Sequence, residues 1–398
     1  MPPLSSPGSP LRVALAFQIA QPHLERITRG ILAYAERSGG WQIAMNPDGA
    51  TVTLESLEGW EGDGVLAMVE TERQLALARS LRIPVVNLSA RIAGTPLPAV
   101  LSDNEAIGTR AAEHLLERGF RQCAFYGLEG VEYSQKRFEG FRRTVEAAGG
   151  RVTSLLTRSE VDGQRPWDWD RDALDAWLRG LEGRIGLMAV HDYRAQLVLE
   201  AARRLGIAIP GAMALIGVND DPVACAGSAP PLSSVPQDGF AIGLAAAELL
   251  AGWIQSGKAS QSLIAVPPME VTARRSTAMF GAEDPRLLAA MEYIETHLAE
   301  SFGVTDLAEL TGSSRRWIEH LFAKHLGCSP HAYVVRRRAR FARLIQESEP
   351  GQRLSEIARR SGFPSTRSLK AALAHPPESP APVPASQVRA GCSPRGLA

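Results

Sequence analysis

Six short apolar runs mark the first 220 residues or so of the chain: RVALAF (12–17), GVLAMV (64–69), IPVVNL (83–88), QCAFYG (122–127), IGLMAV (185–190) and MALIGV (213–218). Runs of this kind are what a strand covered on both faces requires. Stretches of helical period separate them, among them 24–38, 105–118, 135–148 and 195–205. Strands alternating with helices mean βαβ units and a mainly parallel sheet. The alternation continues to about Arg275, long for one sheet and natural for two similar lobes.

Beyond a proline-containing connector (266–285) strand signals cease. Helical patterns cover 287–300, 305–311, 314–325, 330–347 and 355–361. Ser329 before Pro330 supplies a helix cap, and proline costs nothing at a first helical position, where its missing N–H would be unpaired anyway. The expected division is a disordered leader (1–10), an α/β domain (11–275), a linker (276–285), an all-α domain (286–375) and a low-complexity tail (376–398) read as disordered.

Charge divides the chain in the same way. The formal net charge is zero, yet residues 315–370 hold 13 basic and 4 acidic side chains. A basic domain on a mildly acidic one implies a polyanionic partner for the tail alone. No apolar run approaches the ~18 residues of a bilayer span and no targeting segment is visible, so a cytoplasmic protein without membrane contact is expected. The four cysteines are far apart, with no CxxC or Cys/His cluster, so neither a zinc site nor a disulfide framework is indicated. Phosphate-binding glycine motifs and a nucleophile beside a base are both missing from the pattern, so no catalytic residue, metal or cofactor is expected.

The basic segment has internal order. In 314–326 the apolar residues Ile318, Leu321, Phe322 and Leu326 form one stripe, leaving Arg316, Glu319 and His320 on another face. LAELTG just upstream gives a short helix ended by Gly312, so the whole fits a helix-turn-helix. Exposed Arg, Glu and His are suited to base edges and phosphates. The phrase then recurs: LAELTG-SSRRWIEHLF (307–322) aligns with IARRSGFPSTRSLKAAL (357–373), placing Leu307 on Ile357, Gly312 on Gly362, Arg316 on Arg367 and Ile318 on Leu369. Two such motifs on a linking helix could reach major-groove segments one DNA turn, roughly 34 Å, apart. The run RRRARFAR (336–343) on that linking helix is expected to contact phosphates or to cap the assembly.

These residues resemble the double helix-turn-helix domain of AraC-type transcription regulators over roughly 285–373. The resemblance implies DNA contacts from Arg315, Arg316, Glu319 and His320 of the first motif and Thr366, Arg367 and Lys370 of the second. The chain departs from the family where a closing aromatic and G-x-S-P-x-x-Y-R are usual: it has Leu373 and then AHPPESPAPVP. Prolines cannot extend a helix, so the second motif is expected to be incompletely packed.

In the α/β part, ligands of such folds sit beyond the carboxyl ends of strands. Gln18, Gln21, Ser134, Arg137, Asp192, Arg194, Asn219 and Asp220 occupy those positions. Carboxylates beside a guanidinium suit a neutral polyol, whose hydroxyls both donate and accept. Asp103 and Asn104 read better as a helix cap, and His191 as a packing residue. VLSDNEAIGTRAAEHLLERGF, YSQKRFEGF and the stretch 188–222 resemble the effector domains of LacI/GalR-type repressors and periplasmic sugar-binding proteins. Joined to an AraC-type tail, the combination is similar to bacterial regulators of xylose operons. It implies a homodimeric transcription regulator that binds promoter DNA and a sugar effector, xylose or a related pentose. The alternative is a sugar receptor whose incomplete second motif no longer binds DNA.

Overall fold

The uninterrupted apolar segments become the central strands of two parallel sheets. The structure, a computed structural model, describes residues 10–19, 21–44, 52–158, 171–260, 262–281 and 284–374. The leader 1–9 and the tail from 375 onward, where disorder is expected, lie outside the described residues.

The first lobe is built from β1 (Leu11–Ala16), α1 (Pro22–Ser38), β2 (Trp41–Ala44), β3 (Gly64–Ala67), α2 (Glu72–Ser80), β4 (Val85–Asn87) and β5 (Ala99–Ser102). The chain then crosses into the second lobe for α3 (Asn104–Glu117), β6 (Gln122–Glu129), α4 (Glu132–Ala147), β7 (Arg151–Arg158) and α5 (Arg171–Arg179). That lobe continues with β8 (Ile185–Ala189), α6 (Asp192–Leu205), β9 (Met213–Val218), α7 (Pro222–Ala226) and β10 (Ser233–Val235). A return crossing places α8 (Gly239–Ser256) and β11 (Leu263–Val266) in the first lobe. The sheets run β11-β5-β4-β3-β1-β2 and β10-β9-β8-β6-β7.

Four of the five strands that the apolar pattern misses, β2, β7, β10 and β11, are sheet edges; β7, RVTSLLTR, is exposed along most of its length, and β10, SSV, is buried but only three residues long and led by two serines. The fifth, β5, is interior but spans only AVLS. Helix α8 also departs from expectation, because its 18 residues are apolar and long enough to cross a bilayer by length and composition. Here it is a core helix against α1 and the first sheet, with Ile242, Ala246 and Leu250 buried. In the second lobe α3 and α4 cross in backbone contact. A Cβ on Gly108 would stand 2.0 Å from the Arg137 carbonyl oxygen, and one on Gly140 2.1 Å from that of Glu105, so glycine at both positions fixes where Arg137 sits.

After β11 the chain crosses a third time. Residues 269–277 run along the second lobe, with Thr272 and Ser234 exchanging backbone hydrogen bonds and Ser276 and Thr277 fully buried. Six helices follow: α9 (Pro285–Thr296), α10 (Val304–Leu310), α11 (Arg315–Leu326), α12 (Pro330–Ser348), α13 (Leu354–Arg360) and α14 (Thr366–Ala374). The turns of both helix pairs are glycines at positive φ, Gly312 at 60° and Gly362 at 76°, a conformation other L-residues rarely adopt. The stripe Ile318, Leu321, Phe322 and Leu326 is buried with α9, α10 and Tyr333. Contrary to expectation the second motif is packed within the described residues: Leu369 and Ala372 join Phe363, Ile357, Ala342 and Ile345 in one core. Phe363, directly after the turn glycine, supplies an aromatic from inside the motif.

Candidate effector cleft and nucleic-acid interface

Loops at the carboxyl ends of β1, β6, β8 and β9 meet between the lobes. Arg26 on α1 reaches across, its Nη2 donating to the carbonyl oxygens of Asn219 and, at 3.3 Å, Asp220. Asn219 and Asp220 both have positive φ (105° and 52°), which aims their carbonyls at the first lobe. Gln237 donates to Asn219 Oδ1 at 2.5 Å. The Asp220 carboxylate accepts from Arg274 Nη1 at 2.7 Å and Thr272 Oγ1 at 3.1 Å.

Arg137 lies deeper, 5% exposed, donating to Asn104 Oδ1 (2.9 Å) and the Val190 carbonyl (2.5 Å) and lying over the Tyr133 ring. Burial lowers its pKa to about 10. Beside it, burial brings His191 down to about 3 and His23 to about 4, each helped by nearby arginine charge. Both imidazoles are therefore neutral near pH 7. His191 Nδ1 also caps α6, accepting from the Arg194 N–H at 3.2 Å, and Asp103 caps α3.

The eight sequence-selected residues do not form one set. Arg137, Asn219 and Asp220 gather at the lobe junction. Gln18 and Gln21 are exposed and bonded to each other at 2.6 Å. Ser134 is fully buried, its Oγ accepting the Leu128 N–H at 2.8 Å. Asp192 is also fully buried, accepting from Ser234 Oγ (2.7 Å) and the Asp221 N–H (2.9 Å), and burial pushes its carboxyl up to about 7. It organises the loop that carries Asn219 and Asp220. Arg194 turns toward the sheet, donating to Tyr126 Oη, Thr157 Oγ1 and the Arg158 carbonyl. Sequence reasoning missed His23, Arg26 and Tyr133. The first two follow the end of β1 closely enough for the strand-end rule to have found them. Together the cleft offers neutral imidazoles, guanidinium donors and backbone oxygens, a set able to bind several hydroxyls.

On the helical domain Arg315, Arg316 and His320 are exposed at the start of α11, and Glu319 pairs with Arg315 at 2.9 Å. Trp317, which the sequence pattern did not single out, is exposed, lies beside His320 and is covered by the Arg286 guanidinium, 5.0 Å from the ring centre. Thr366, Arg367 and Lys370 are exposed on α14.

For the run 336–343 the structure corrects the phosphate reading and leaves the capping one. These arginines face the protein rather than phosphate. Arg337 makes a forked pair with Glu295 (2.5 and 2.7 Å) and reaches Glu117 of α3 at 3.0 Å. Arg340 binds Glu117 at 2.6 Å and Glu270 at 2.9 Å. Arg343 also reaches Glu270, at 3.3 Å, and Arg338 donates to the carbonyls of Leu298 and Glu300. Glu270 is completed by Arg110 at 2.7 Å. Burial alone would raise the Glu117 carboxyl, but Arg340 and Arg337 hold it at about 2. Periodicity shows that arginines lie on a helix but not that the carboxylates of another domain will cover them.

Comparison with known proteins agrees with this two-part architecture. Residues 20–165 match the periplasmic binding proteins and sugar-binding domain of the LacI family, 112–277 a periplasmic binding protein-like domain, and 307–375 a helix-turn-helix domain. The xylose operon regulatory protein of Escherichia coli K12 is 28% identical over 362 residues, 89% of this chain and 91% of that protein. The protein of that name from Haemophilus influenzae is 26% identical over 89% and 92%. The solved structure of a xylose-binding transcription activator superposes with a TM-score of 0.60 at 26% identity, covering 92% of this chain and 95% of that one.

Proposed function

Since the chain is a transcription regulator of sugar catabolism with the two-domain plan of the xylose operon regulatory proteins, we propose that a pentose, xylose or a close relative, binds between its lobes and controls promoter binding. In this reading residues 11–275 sense the sugar and 286–375 hold DNA. The observation that carries it is the joining, on one chain, of a polar interlobe junction spanned by Arg26 to a helical domain with two exposed basic recognition helices. Arg137, Asn219 and Asp220, with Gln18 and Gln21 at the rim, meet the hydroxyls, and His23 and Arg26 join them. Ser134, Asp192 and Arg194 act by shaping the loops. Arg315, Arg316, Glu319 and His320 enter one major-groove segment, and Thr366, Arg367 and Lys370 the next. The protein works in the cytoplasm as a homodimer, since linked DNA-binding domains multiply weak single-site affinities.

Fluorescence anisotropy on a direct-repeat promoter fragment, with and without D-xylose at several salt concentrations, tests this reading. The sugar should change DNA affinity by about 5–150-fold, the usual range of allosteric coupling. Equal affinities at every salt concentration contradict it. The receptor alternative predicts sugar binding with no specific promoter affinity, but the packed second motif favours the regulator.

A further inference from the structure

The third crossing segment lies between the cleft and the helical domain and touches both. Toward the cleft, Thr272 Oγ1 and Arg274 Nη1 hold the Asp220 carboxylate. Toward the helical domain, Glu270 accepts from Arg340 and Arg343 of α12, and its backbone N–H donates to the Glu347 carboxylate at 3.2 Å. The segment cannot slip along the second lobe. Thr272 and Ser234 exchange backbone hydrogen bonds, the Met269 N–H donates to the Pro236 carbonyl, and the Arg274 N–H donates to Ser233 Oγ. The Glu270 side chain is 1% exposed, so its ion pairs are shielded from the water and salt that weaken surface pairs.

We propose that Glu270–Arg274 is a strut that converts displacement of the Asn219–Asp220 loop into displacement of α12, with Glu270 and Thr272 as the positioning residues of the regulatory response. The Arg26 contact makes that loop the place where the first lobe acts on the second. A shift of Asp220 is passed through Thr272 and Arg274 to Glu270 and on to Arg340 and Arg343. Helix α12 packs against α11, α13 and α14, so moving it re-aims the recognition helices. The arginines are thus the means by which the sensor grips the reader. This inference rests on the sugar-responsive reading above and adds the route by which the response travels.

The test uses the full chain as wild type, Glu270→Gln and Thr272→Val, with D-xylose as probe. Calorimetry gives sugar affinity without DNA, and anisotropy gives promoter affinity with and without sugar. Both variants should bind D-xylose within about tenfold of wild type while the sugar-dependent change in DNA affinity falls below about twofold, a loss of coupling rather than of binding. A wild-type-sized response in either folded variant overturns the strut, and so does loss of sugar binding in both. If Glu270→Gln does not fold, Thr272→Val, which deletes one hydroxyl, decides alone. A wild-type protein indifferent to D-xylose sinks the functional reading and the strut with it, whereas a responsive wild type with equally responsive variants sinks only the strut.

Discussion

Helices α11 and α12 are neighbours in sequence, both rich in arginine, and the structure uses them in opposite ways. α11 leaves Arg315, Arg316 and His320 in solvent around a buried apolar stripe. α12 buries Arg336, Arg337 and Arg340, the last two against Glu117, Glu270 and Glu295. What separates them is the presence of carboxylates in place to receive the guanidinium forks. A planar guanidinium can serve two carboxylates at once, which makes arginine suited to a buried junction. Basic density alone therefore does not mark a nucleic-acid surface.

The contrast can be broken most forcefully at Arg340. Arg340→Ala removes one guanidinium from each of two buried carboxylates, leaving Arg337 on Glu117 and Arg110 and Arg343 on Glu270, and should destabilise the protein by up to about 3–5 kcal/mol, the upper end applying to a buried charge left with no partner; a denaturation midpoint close to wild type would mean the pairs are solvated. Acid tests the same junction from the other side. With Glu117 held at about 2 in the fold against an ordinary 4.5, its contribution is complete above pH 4.5 and is lost as pH falls from there toward 2. As far as Glu117 decides, fluorescence transfer between dyes on the two domains should stay constant from pH 7 to about 4.5 and change only below it; a change confined to that interval must come from another group, such as Asp192, whose carboxyl burial pushes up to about 7. On α11, Arg316→Ala should weaken promoter binding by about 1–3 kcal/mol with little change in melting temperature. The smallest effect is expected for Glu319→Gln, which breaks an exposed pair with Arg315 and should alter stability by under about 0.5 kcal/mol in thermal melts.

Where a single segment carries its own signal, the sequence is legible. The central strands other than the short β5, the glycine turns and the apolar stripe of α11 follow from spacing, and the repeat at residues 357–373 exposes the second motif. What could not be read depends on partners distant in sequence. Ser134, Asp192 and Arg194 are the right residue types at strand ends, yet each is taken by a neighbour: the Leu128 N–H, Ser234 with Asp221, and Tyr126 with Thr157. The edge strand β7 lacks the apolar run because most of its length is exposed. The α12 arginines depend on Glu117 and Glu270, which lie 223 and 70 residues from Arg340, and no local pattern announces such pairings.

The central claim is that DNA is read by the exposed ridge of α11 while the α12 arginines belong to the domain junction. The salt dependence of promoter affinity measures it directly, since each cation at the DNA surface adds roughly 0.9 to the slope of log K against log salt. Arg316→Ala should lower that slope by about one and Arg343→Ala should leave it unchanged. An equal or larger fall for Arg343→Ala would put the α12 arginines on the phosphates and contradict the account.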